Sequence, residues 1–247
     1  MTLQHIPGLK EFVSRDVCFF PCCSRKYASG QIVGQGVGLS QDDLPNTWNL
    51  LLQGRNGMNQ CVDLPSPPTS AIRLYTGAPY NSFRQYIPDI IQRILSGQLR
   101  VIIISAGYGI VDAFEPLNAY NAVMQGEVAS HWRNSGLVDA ISDLLLTIKP
   151  KKVFGFFAGE TYWPTSSSKY RYFFTEGLKA AIGRGLDIEV GGCFYRKDGR
   201  GVQAILGALG RTFVGLRNSD FNAQFATNIQ MNDRVDGNVI VGFERIR

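Results

Sequence analysis

Three short runs of continuous apolar, strand-favouring residues constrain this chain more than any other feature. They are VCFF at 17–20, VIII at 101–104 and VFGFF at 153–157. None alternates with polar residues, and the first stops at Pro21. Each therefore reads as a strand covered on both faces. Segments of helical period lie between and after them. Phe83, Ile87, Ile90, Ile91 and Ile94 share one face, with Pro88 suited to a first turn and Gly97 to a stop. Leu137, Ile141, Leu144, Leu145 and Ile148 share another, and Tyr170, Phe173, Phe174, Leu178 and Ala181 a third. This spacing predicts helices over 137–148 and 168–182. A fourth strand is expected over 187–195, a short helix over 201–209 and a last strand over 238–243. Strand alternating with helix predicts one α/β domain over 1–247. Its mostly parallel sheet would be flanked by helices on both sides, in a Rossmann-like three-layer arrangement. Residues 28–70 break the pattern. GQIVGQGVGLS, QGRNGMNQ and DLPSPPTS are dominated by glycine, proline and polar residues, so a loop-rich insertion or flap is expected there. Trp48, Leu50, Leu51 and Leu52 make a short apolar patch within it.

Charge and cysteine usage narrow the function classes. Twenty-five Lys and Arg stand against twenty Asp and Glu, a net charge of +5, which excludes a polycation but allows a local phosphate-binding patch. No apolar run approaches the ~20 residues that span a bilayer. The opening MTLQHIPGLKEF lacks the apolar core of a signal peptide. A soluble, cytoplasmic protein with no membrane partner is expected. Five cysteines, an odd number, form no secreted framework. With no CxxC pair and only His5 and His131 as imidazoles, neither zinc nor another cofactor is called for.

Open parallel sheets bind ligands beyond the carboxyl ends of their strands. That rule selects three segments. After the first strand come Cys22, Cys23, Ser24, Arg25 and Lys26, a turn rich in donors and positive charge in which a thiolate at Cys22 would be favoured. After the second come Ser105, Gly107, Tyr108 and Gly109, then Glu115 and Tyr120. Glycine allows close backbone approach, Tyr108 can stack on a base or ribose, and Tyr120 can hydrogen-bond. After the third come Glu160, a candidate general acid or base, and Tyr162. Each segment also has a plain structural reading: a solvated basic turn, a glycine turn and a surface glutamate. Gly34, Gly36 and Gly38 mimic a dinucleotide fingerprint, but neither a preceding strand nor a following helix accompanies them. Arg184, Arg196, Lys197 and Arg200 form a loose basic cluster near the fourth expected strand.

In order, PCCSRK (21–26), RLYTGAPYNSFRQY (73–86), VIIISAGYGIVDAFEPLNAYNAVM (101–124), HW (131–132) and FFAGETYW (156–163) resemble the YaaA superfamily. That superfamily includes peroxide-stress proteins and short bacterial and phage relatives with a CSxxK start. The match covers about 140 residues, and its middle segment is the most specific part. The opening also resembles the core domain of archaeosine synthase, which acts on a 7-deazapurine nitrile in transfer RNA. Pro21, Cys22, Lys26, Tyr27 and Ser29 match in kind, while the proline after the lysine and the nearby histidine are absent.

The resemblance implies an α/β protein that handles a nucleic acid, nucleobase or nucleotide. One expectation is an enzyme acting on a modified or damaged base. Lys26 would be nucleophile or electrostatic clamp and Cys22 its helper. Ser105 with Gly107 and Gly109 would hold phosphate or sugar, Tyr108 would stack, and Glu160 would move a proton. Ser24, Arg25, Tyr120 and Tyr162 would complete the substrate contacts. The alternatives are a non-catalytic DNA-binding protein of stress protection and a nucleotide-binding or nucleotide-hydrolysing component of a defence system.

Overall fold

A computed structural model describes residues 16–58, 66–159, 170–215 and 234–247. The run at 17–20 becomes β1 (Asp16–Pro21), that at 101–104 becomes β3 (Leu99–Ser105), and that at 153–157 becomes β6 (Lys152–Phe156). β1 pairs in parallel with β3 on one side and β6 on the other, with Phe19 opposite Ile102 and Gly155. β6 pairs in parallel with β7 (Val190–Asp198). Antiparallel strands finish both edges. β4 (Gly109–Asp112) folds back on β3, and β9 (Val239–Arg245) joins β7 to β8 (Arg234–Asp236). The seven-stranded order is β4-β3-β1-β6-β7-β9-β8. A separate two-stranded ladder joins β2 (Thr69–Ser70) to β5 (Pro116–Leu117).

Adjacent side chains on β1 show why the molecule has three layers. Successive residues of a strand face opposite sides of the sheet. Phe19 meets Phe174 of α7 (Tyr170–Gly183), which packs on α6 (Leu137–Ile148). Phe20 meets Phe83 of α3 (Ala78–Phe83) and Phe213 of α8 (Val202–Gly215) on the other side. The sheet is thus a mostly parallel one sandwiched by helices, the Rossmann-like three-layer arrangement that its strand–helix alternation predicts. The remaining helices of the first two-thirds of the chain include α2 (Ala71–Leu74), α4 (Ile87–Leu95) with proline in its first turn, and α5 (Gly126–Asn134).

The sequence reading differs from the structure in local ways. The glycine turn after β3 is the bend of a hairpin, and Gly109, at φ +75°, opens β4. The helix expected over 201–209 runs on to Gly215. The apolar patch at Trp48 lies on α1 (Trp48–Gly57). Two buried acids pin the segment that carries α1. Asp143 on α6 accepts the Asn46 and Thr47 backbone N–H groups at 2.9 and 3.0 Å, and the Thr47 hydroxyl at 2.9 Å. Glu115 pairs with Arg55 at 2.7 Å. Among the described residues no helix is long and apolar enough to cross a membrane.

Candidate functional site

β1, β6 and β7 run the same way, so their carboxyl ends share one edge of the sheet. A cavity of about 380 Å³ opens there. The chain leaving β1 supplies Cys22 to Arg25, the chain leaving β6 supplies Phe157 to Gly159, α7 brings Tyr170 to Tyr172, and α8 brings its first turn. Pro79, Ala122, Val123 and Leu206 make much of the remaining wall apolar.

Cys22 lies where three elements converge. Its backbone N–H donates to the Ile104 carbonyl at 2.8 Å, which carries the β1–β3 pairing one residue past the strand and fixes the side chain. Its sulfur is 3.4 Å from the Ala106 N–H, just after β3, and 3.1 Å from the Tyr170 hydroxyl on α7. Behind it runs a buried chain of hydroxyls. Tyr120 lies 2.8 Å from Ser105 Oγ and 3.0 Å from the Tyr75 hydroxyl. Burial, and then charge on the neighbouring Cys22, push the Tyr75, Tyr120 and Tyr170 phenols above their ordinary range. These tyrosines therefore keep their protons and can serve as donors.

Cys23 also lines the cavity. Its sulfur accepts the Gly77 N–H at 3.2 Å and donates to the Arg25 carbonyl at 2.9 Å. Burial pushes this thiol up. A side chain at Gly77 would not fit, because its β-carbon would stand 2.8 Å from that of Cys23. Lys26 does not line the cavity. Its backbone bridges to Tyr75, and its ammonium lies 4.0 Å from the centroid of the Tyr120 ring. Burial lowers its pKa, and the two cysteines partly offset that.

The structure therefore divides the sequence-selected residues into groups. Cys22, Ser24 and Arg25 line the cavity. Ser105 and Tyr120 are buried beneath it, their hydroxyls bonded to each other. Gly107 makes room for Tyr120, since a β-carbon would meet that ring at 2.7 Å. Tyr108 is half-buried, packs edge-on against Tyr120 and donates to the Asn118 carbonyl at 3.3 Å. Glu160 and Tyr162 lie outside the described residues.

Sequence reasoning missed four residues at this edge: Tyr75, Tyr170, Arg171 and Gln203. Arg171 had a legible signal. Positions 171, 174, 175 and 178 are buried at helical spacing, so an arginine stands on the covered face of α7. Tyr75 and Gln203 had none, because their meaning depends on residues far away in the chain. His131 and Trp132 are fastening groups. His131 Nε2 bonds the Gly54 carbonyl at 2.8 Å, and the Trp132 indole donates to the Ala106 carbonyl at 2.7 Å. Among the described residues no three His, Cys, Asp or Glu side chains gather to hold a metal ion.

In comparisons with known proteins, no family model matches this chain and no curated protein matches it significantly.

Proposed function

We propose that this protein is an enzyme that processes a nucleobase or nucleotide, with Cys22 as its catalytic residue. The observation that carries the reading is the placement of the Cys22 sulfur. It sits just past the carboxyl end of β1, in the wall of a cavity of about 380 Å³, within reach of a backbone N–H and a tyrosine hydroxyl. Cavities of roughly 300–1,000 Å³ with apolar walls and a few convergent polar groups are the usual form of a small-molecule site. A flat heterocycle suits walls built from Pro79, Phe157 and Leu206. The resemblance to the YaaA superfamily supports a base or nucleotide over other flat ligands.

On this reading the thiol adds to an electron-poor carbon of the substrate: the S–C bond forms as that carbon's π bond to a ring heteroatom opens, the electron pair passes to the heteroatom and the thiol proton follows it, and reversal frees Cys22. Lys26, whose ammonium lies over the Tyr120 ring, holds positive charge behind that ring, outside the cavity. Its part is to position and tune, and it need not touch the substrate.

The test is a turnover screen of nucleobases, deazapurines, nucleosides and nucleotides, run with wild type, Cys22→Ser and Lys26→Met. We expect Cys22→Ser to lose at least about 100-fold in kcat/KM, and Lys26→Met to lose less and to shift the pH profile. A folded Cys22→Ala protein that turns over its substrate as fast as wild type would overturn the reading.

A further inference from the structure

We infer that Tyr170 is a second catalytic residue of this cavity, a relay that gives its hydroxyl proton to the substrate heteroatom while it takes the proton of the Cys22 thiol. The inference deepens the proposed function and rests on it for Cys22 as the attacking group.

Three observations carry it. The first is contact. The Tyr170 hydroxyl lies 3.1 Å from the Cys22 sulfur, and either atom can be the donor. A hydroxyl both gives and accepts, so a proton can pass through it. The second is direction. The sulfur also stands 3.4 Å from the Ala106 N–H, a group that can only donate. That side of the sulfur is an acceptor, which leaves the thiol proton for Tyr170. The third is access. Cys22 and Tyr170 both line the cavity, whereas Tyr75, Tyr120 and Ser105 do not. The hydroxyls of those three bond one another, with Tyr120 at 3.0 Å from Tyr75 and 2.8 Å from Ser105. Among the described residues, Tyr170 is the hydroxyl that both bonds the sulfur and lies in the wall against which a ligand would rest.

Burial, and then charge on Cys22, hold the Tyr170 phenol above its ordinary range, and a backbone hydrogen bond from Met124 offsets part of that. A phenol so raised is a poor acid by itself. As a relay it never becomes a phenolate, because one proton arrives as the other leaves. The step then balances without a further reactant. The sulfur bonds to the electron-poor carbon, the π bond from that carbon to the ring heteroatom opens, and the electron pair moves to the heteroatom. The heteroatom takes the Tyr170 proton, and Tyr170 takes the thiol proton. Nothing is oxidised or reduced, and reversal restores both side chains. The geometry also selects the substrate class. With sulfur and hydroxyl only 3.1 Å apart, the acceptor must lie close to the attacked carbon, as a ring nitrogen beside it does.

Two isomeric thiol reagents test the relay without the natural substrate. In 2-vinylpyridine the ring nitrogen is close to the vinyl terminus that sulfur attacks, and in 4-vinylpyridine it is across the ring. In both, the electron pair passes to that nitrogen, which takes a proton that later moves to carbon through water. Labelling rates of wild type, Tyr170→Phe and Tyr120→Phe are followed by mass spectrometry, with Cys22→Ser identifying the label at Cys22 and circular dichroism checking the fold. We expect Tyr170→Phe to slow the 2-isomer at least about 10-fold and the 4-isomer less than about 3-fold. Tyr120→Phe, behind the cavity, should change both rates by the same factor. On wild type, which needs no substitution, the solvent deuterium isotope effect should be larger for the 2-isomer. Equal factors for the two isomers in folded Tyr170→Phe, equal isotope effects on wild type, or a wild-type Cys22 that neither isomer labels would overturn the relay. Cys22-dependent turnover of a nucleobase together with equal factors would sink the relay and leave the proposed function standing. An isomer difference that depends on Tyr170, with no turnover of any nucleobase or nucleotide, would do the reverse.

Discussion

Lys26 carries its ammonium against the face of Tyr120, 4.0 Å from the ring centroid, in a place where burial lowers its pKa. The sign of the resulting pH dependence follows from linkage. Below the lowered pKa both the folded and the unfolded chain hold the proton, and the folded state bears the whole desolvation penalty. Between that pKa and the ordinary value of 10.5, the folded amine sheds its proton while the unfolded chain keeps it. Stability contributed by this group therefore rises with pH across that window. We expect the unfolding free energy of wild type minus that of Lys26→Met to increase as the pH approaches 10.5, measured by urea denaturation at stepped pH. A difference that falls over the same range would mean that the amine is held by an attraction stronger than its burial. Cys23 belongs to the same scale: its thiol is raised by burial and is therefore an inert neighbour at neutral pH.

Among the elements, the pairing of α1 with the β3–β4 hairpin shows how the 28–70 segment is held. Arg55 donates to the Tyr108 and Ile110 carbonyls at 3.0 and 2.7 Å and pairs with Glu115 at 2.7 Å. Glu115 also accepts the Leu39 and Asp112 N–H groups, at 3.3 and 3.2 Å. Removing the arginine leaves a buried carboxylate without its cation and two carbonyls without a donor. We expect Arg55→Ala to destabilise the fold by about 3 kcal/mol or more, measured by chemical denaturation. A loss under about 1 kcal/mol would show that this pair does not fasten α1. Composition made this segment legible as loop-rich and nothing more. Its apolar patch is too short for a helix to be read with assurance, and both acids that anchor it lie more than fifty residues away in the chain.

Across the whole molecule, β1 is an interior strand of the sheet, with parallel neighbours on both sides and Val17 to Phe20 at 0–2% exposure. Local opening cannot free its amides, because both partner strands and both helix layers would have to separate. The backbone amides of Cys18 to Phe20 should therefore be among the slowest to exchange in native-state hydrogen exchange, and those of β8, at the edge, faster. Exchange of β1 by frequent local opening would contradict the sheet order.

The sequence alone determined the layered α/β plan. Continuous apolar runs can only be strands covered on both faces, and one-sided helices can only do the covering, so local periodicity carries global architecture. Runs at 17–20, 101–104 and 153–157 and a helix at Leu137–Ile148 needed nothing more. Sequence also pointed to the chain ends after β1 and β6, because a parallel sheet brings those ends to one edge. Tertiary structure decided which side chains face the cavity there. It set Cys22 into the wall and turned Lys26 toward Tyr120. It also brought Arg171 and Gln203, from helices 149 and 181 residues beyond Cys22 (171 − 22 and 203 − 22), to the same opening. No local pattern encodes such meetings, since they depend on the register between strands and the angles at which helices cross them.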